Sequence, residues 1–160
     1  MHTRTQTAEE TERLGARLAQ ARGRAAQDLA VIYLEGGLGA GKTTFARGFA
    51  REAGFEGTLR SPTYTLLEAY PLTAGTLVHV DLYRVHSSAG LESLGLRDFL
   101  LPGHVWLIEW PEHGLGRLPP ADLRVAFAAG EAGHDITATP VSALGKSWLV
   151  QMPGAGAGRS

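Results

Sequence analysis

The chain of 160 residues is 44% hydrophobic and 19% charged with a formal net charge of −1, ordinary for one globular domain and without the basic field that would bind nucleic acid unaided. It has no cysteine, which excludes disulfides, thiol nucleophiles and thiolate metal sites. No apolar run is long enough to span a membrane and the opening residues lack the apolar core of a secretory signal, so a soluble cytoplasmic protein is expected.

Thr7 and Glu10 have the spacing of a capping box, and Leu14, Leu18 and Ala21 recur at helical intervals, predicting a helix over about 8–25. Residues 29–35, LAVIYLE, are short, apolar and rich in β-branched side chains, as a buried strand requires. Residues 42–54 carry Phe45, Phe49 and Ala53 on one helical face and stop at Gly54. Pro62 and Pro71 then bracket an extended segment. Strands are expected at 76–84 and 104–110, with a short helix or two over 88–103 between them. The segments 122–127, 134–139 and 147–152 alternate more and are expected as late, antiparallel strands. The tail, 153–160, has nothing to bury and is expected to be disordered. Strands alternating with helices predict an α/β domain over 1–152, a sheet with a parallel core, antiparallel late strands and helices on both faces.

Between the first predicted strand and the second helix lie Gly36, Gly37, Leu38, Gly39, Ala40, Gly41, Lys42, Thr43 and Thr44. They satisfy G-x-x-x-x-G-K-[ST] in the strand–loop–helix context that the motif needs. Glycines let successive N–H groups turn inward as an anion nest, and the helix that follows adds the positive end of its dipole. Lys42 can reach terminal phosphates as a flexible point charge, and Thr43 can offer a hydroxyl to Mg²⁺. Of fifteen basic residues only Lys42 and Lys146 are lysines, so this one stands out against an arginine-rich background. A nucleoside triphosphate is the expected ligand.

Such a loop needs an acid at the end of another strand. Asp81 follows LVHV and Glu109 follows VWLI, so both are candidates for Mg²⁺ or for orienting the attacking water. Either carboxylate could instead cap its strand end. Ser61 and Thr63, between the second helix and the Asp81 strand, are possible phosphate or Mg²⁺ contacts, although a plain Ser-Pro turn explains the spacing equally well. Trp110 could mark a partner surface or pack as core. The six histidines show no paired spacing for zinc, and a chain without Asn has no N-K-x-D guanine-reading motif.

The segments GGLGAGKTTFARG, SPTYTLLEAY, HVDLYR, LESLGLRDF and IEWPE occur in that order, within a stretch of similarity over about residues 8–140. In sequence and spacing they resemble the small bacterial P-loop ATPases of the TsaE (formerly YjeE) family. The resemblance implies a compact P-loop fold that binds ATP and Mg²⁺ and hydrolyses ATP slowly. It implies work with the TsaD and TsaB proteins on threonylcarbamoyladenosine in tRNA, with tRNA met only through that complex. It places Lys42 on the phosphates, Thr43 and Glu109 on Mg²⁺, and Asp81 in the site as the Walker-B-type acid. Thr11 matches a position near the adenine, and Ser61 and Thr63 fall in the loop that responds to nucleotide. Two positions depart from the family's pattern. Gly37 stands where an acid is usual, and His134 follows Gly133 where Gly-Arg is common on the base side. Two alternatives remain open from the sequence: a P-loop small-molecule kinase, and a binding module gated by nucleotide occupancy.

Overall fold

A computed structural model describes residues 1–153 except Thr63 and Leu115; the expected disorder of the tail concerns residues outside this range, apart from Pro153. The strands are β1 (His2–Thr5), β2 (Ala30–Glu35), β3 (Leu67–Pro71), β4 (Thr76–Asp81), β5 (His104–Glu109), β6 (Leu123–Gly130) and β7 (Gly133–Pro140). The α-helices are α1 (Ala8–Arg22), α2 (Lys42–Glu52), α3 (Ser88–Glu92) and α4 (Ala143–Val150). The described strands form one sheet in the order β1-β7-β6-β2-β5-β4-β3. Its centre, β6-β2-β5-β4, is parallel, and β3, β7 and β1 add antiparallel edges.

Strand composition explains this arrangement. In β2, β4 and β5 most side chains are buried and the rest half-buried, as expected of parallel strands covered on both faces. Leu34, Leu77, Val105 and Leu107 join Leu14, Leu18, Phe45, Phe49 and Trp148 beneath α1, α2 and α4. Val31, Val78, Val80, Trp106 and Ile108 face the other way and pack with Leu82 and Leu91 on the side of α3. β6 alternates between buried and exposed residues because it lies next to the half-covered β7.

Capping and close packing set the position of α1. Thr7 Oγ1 accepts the Glu10 amide at 3.2 Å, while Glu10 Oε2 accepts the Gln6 amide at 2.6 Å. The return bond therefore lands one residue earlier than in the usual capping box. Glycines let α1 and α2 meet backbone to backbone. A Cβ on Gly15 would lie 2.1 Å from Phe45 O, and one on Gly48 would lie 1.9 Å from Glu12 O. This contact holds the first turn of α1 beside the glycine loop.

One expectation needs correction. Residues 147–152 are not a strand: α4 covers Ala143–Val150, with Ser142 Oγ accepting the Gly145 amide at 3.0 Å as its N-cap. Trp148 decides the matter, because its ring packs edgewise on Phe49 and its Nε1 donates to Leu18 O at 2.7 Å. In so short a segment an apolar pair fits either periodicity, and tertiary burial wins. Residues 122–127 correspond to β6, which pairs antiparallel with β7 as expected and on its other side runs parallel to β2. The structure also adds β1, a short polar strand that the sequence reading did not identify.

Candidate functional site

β2 ends at Glu35, and the chain turns through Gly36–Gly41 into α2. Gly36 and Gly41 have φ of +149° and +101°, values that a side chain would resist. A Cβ on Gly36 would also lie 2.5 Å from Phe127 O. Gly41 is the N-cap of α2 and brings no side chain to its first turn. The leading amides of α2 therefore remain available to an anion, at the positive end of the helix dipole.

Lys42 is buried and points back along the loop. Its Nζ donates to Gly36 O and, at 3.1 Å, to Gly37 O. The same Nζ lies 3.9 Å from the centre of the Trp110 ring, within cation–π range. Burial pushes the Lys42 ammonium below its usual range, opposed by the charges of Glu109, Glu112 and Asp81. Trp110 is neither plain core nor a remote surface residue. It takes a left-handed φ of +58° and stacks with Tyr83 at 5.0 Å.

Both candidate acids belong to this site. Asp81 and Glu109 are register partners at the ends of β4 and β5, on the sheet edge where open α/β folds bind ligands. Glu109 is 3% exposed and accepts the Thr43 hydroxyl at 3.0 and 3.2 Å through its two oxygens. Its Oε2 also lies 2.7 Å from His79 Nε2. Asp81 is half-buried; its Oδ2 accepts the Ser61 hydroxyl and its Oδ1 accepts the Tyr83 amide at 3.0 Å. Thr63 lies outside the described residues.

A cavity of about 350 Å³ joins these groups. Its lining includes Lys42, Thr43, Ser61, Asp81, Glu109 and Trp110 together with Leu38, Gly39, Ala40, Gly41, Thr44 and Tyr83, but not Gly36 or Gly37. Thr7, Thr11 and His134 close the far side. The Thr11 hydroxyl turns inward, 2.8 Å from Thr5 Oγ1, while its methyl would lie 3.5 Å from a Cβ on Gly41. Gly133 opens β7 against Thr5 and is not among the lining residues; His134 is. Gly37 has open space where a Cβ would stand, so packing does not forbid the acid usual at that position.

The donors suit Mg²⁺, which takes one or two carboxylates with phosphate oxygens and water, better than an all-protein cage. Thr43, Glu109 and Asp81 supply one hydroxyl and two carboxylates. Among the described residues no group of three or more His, Asp or Glu is placed to hold an ion by itself. No described helix is long and apolar enough to cross a membrane. The contact of His79 with Glu109 is not legible from histidine spacing; its signal in the sequence is its place two residues before Asp81, on the same strand face.

Comparison with known proteins agrees with this architecture. The model of the family described as "Threonylcarbamoyl adenosine biosynthesis protein TsaE" matches residues 5–136. The "tRNA threonylcarbamoyladenosine biosynthesis protein TsaE" of Haemophilus influenzae is 41% identical over 117 residues, 73% of this chain and 74% of that one. Its namesake in Bacillus subtilis is 38% identical over 112 residues, 69% of this chain and 70% of the relative. That in Streptomyces coelicolor is 37% identical over 125 residues, 74% and 82% of the two chains. The crystal structure of Bacillus subtilis YdiB superposes with a TM-score of 0.74 at 30% identity, covering 95% of this chain and 93% of the other. With a family match over most of its length and relatives above 30% identity, the chain belongs to the TsaE family.

Proposed function

We propose that this protein is a cytoplasmic, Mg²⁺-dependent ATPase that serves threonylcarbamoyladenosine modification of tRNA together with the TsaD and TsaB proteins, within one P-loop domain over residues 1–152. One observation carries the ATPase reading: the Thr43 hydroxyl at the start of α2 meets the Glu109 carboxylate at the end of β5, with Lys42 beside them. That arrangement brings a phosphate cradle, a metal-ligating hydroxyl and an acid together, as nucleotide hydrolysis requires.

The loop amides of Gly39, Gly41 and Lys42 would bind the phosphates of ATP. Lys42 would leave the Gly36 and Gly37 carbonyls to do so, exchanging neutral acceptors for charged ones, and charge-assisted bonds are the stronger kind. Thr43, Glu109 and Asp81 would hold Mg²⁺. Bound there, the ion would act as a Lewis acid on the phosphate oxygens. Glu109, buried and fixed at both oxygens, would orient the site for attack by water. Asp81 and Ser61 would couple it to the loop before β3. Thr11 and His134, which also line the cavity, would flank the base.

The test is ATP turnover by the purified protein with Mg²⁺, alone and then with TsaD and TsaB. Slow turnover that rises clearly with the partners is expected. Tight ATP binding with no partner effect would overturn the assignment to tRNA modification and leave a kinase to be sought.

A further inference from the structure

Behind the site lies a titratable side chain with no exposed surface, His79. It sits near the end of β4. Its strand neighbours Val78 and Val80 face the α3 side, so His79 shares the opposite face with Leu77 and Asp81 by strand alternation. β4 and β5 are parallel, with His79 level with Leu107 and Asp81 level with Glu109. His79 and Glu109 are thus diagonal neighbours on one face, near enough for long side chains to touch. They meet at 2.7 Å, Nε2 to Oε2.

The remaining ring nitrogen, Nδ1, is buried and has no hydrogen-bond partner among the described residues. Burying a polar ring in an apolar layer is costly unless it is bonded. A leucine, as at position 77, would fill such a layer without that cost. Among the described residues the bond that offsets it is to Glu109, and Glu109 in turn holds Thr43. The three side chains form one chain of bonds from the interior of the sheet to the first turn of α2.

We infer that His79 is a positioning residue: by donating from Nε2 to Oε2 it fixes the Glu109 carboxylate so that it faces Thr43 and the Mg²⁺ position. This rests on the Mg²⁺·ATP reading above. Partners behind a ligating carboxylate orient it, and their loss typically lowers metal affinity or activity by about 10- to 100-fold.

The test follows Mg²⁺ and nucleotide separately, using the fluorescence of N-methylanthraniloyl-ATP with wild type, His79→Leu, His79→Gln and His79→Asn. Gln carries an N–H about as far from Cβ as Nε2 and Asn does not. The Mg²⁺ concentration for half-maximal response should rise about tenfold in the Leu and Asn variants and less than threefold in the Gln variant. Nucleotide affinity in EDTA should be the same in all four. In a Glu109→Gln background, His79→Leu should add nothing. Equal behaviour of Leu and Gln variants, or an unchanged Mg²⁺ requirement in His79→Leu, overturns the inference while leaving the ATPase intact. A wild type with no Mg²⁺ dependence overturns the ATPase reading and this inference with it. If His79→Leu does not fold, the Gln and Asn variants decide by the same criterion; a Gln variant that fails to fold makes the ring a packing element and also overturns the inference.

Discussion

The ends of β5 and β4 sit side by side in register, yet their carboxylates are held in different ways. Glu109 is buried between regular elements, bonded to Thr43 in the first turn of α2 and to His79 inside the sheet. Asp81 is half-buried and bonded to Ser61 and to the Tyr83 amide, both outside helix and strand. Topology alone would make the two acids equivalent, since each ends a parallel strand at the ligand edge. Their surroundings divide the labour: one acid is fixed by the scaffold, and the other is tied to a loop. Loops are the parts of a fold most free to respond to ligand.

Glu109→Gln gives the strongest test of that division. Turnover should fall about 10²- to 10³-fold, the loss typical when one preorganised electrostatic group is removed, while ATP affinity stays within about threefold of wild type. Steady-state turnover and a binding titration check it together; equal losses in the two would erase the distinction. Asp81→Asn should cost less, about 10- to 100-fold in activity or Mg²⁺ affinity, and should weaken binding more than Glu109→Gln does.

Trp110→Leu probes the β5 side without touching an acid. Loss of the aromatic face over Lys42 should weaken ATP binding or turnover by roughly 2- to 30-fold, from about 0.5–2 kcal/mol for such a contact. A change of tenfold or more confined to Asp81-dependent behaviour would place Trp110 with the wrong acid. The smallest effect is expected for Ser61→Ala: a bond to a carboxylate is worth about 1.5–3 kcal/mol, but half-buried Asp81 can take water in place of the hydroxyl, so the loss should be roughly 2- to 12-fold. It should appear in KM for ATP more than in kcat, and a loss as large as that of Glu109→Gln would contradict the comparison.

Much of the site was legible because its chemistry is local in the chain. Gly36 to Thr43 form one continuous motif, and Asp81 and Glu109 each close an apolar run, so strand ends and acids could be read together. The rest depends on contacts distant in sequence. β1 is polar and exists through pairing with β7, and its Thr5 meets Thr11 beside the cavity. α4 reads as a strand until Trp148 is seen against Leu18 and Phe49. His79 meets Glu109 only because β4 and β5 are adjacent and parallel, and Trp110 covers Lys42 through a backbone conformation that its residue type does not advertise.

The central claim is that the site works by turning ATP over, and reconstituted tRNA modification tests it most directly. Threonylcarbamoyladenosine would be measured over many rounds with TsaD and TsaB, using the wild-type chain or Glu109→Gln at saturating ATP. Sustained modification is expected with wild type, and failure with a variant that still binds ATP. Sustained modification by Glu109→Gln would contradict it and make nucleotide occupancy, not hydrolysis, the working signal.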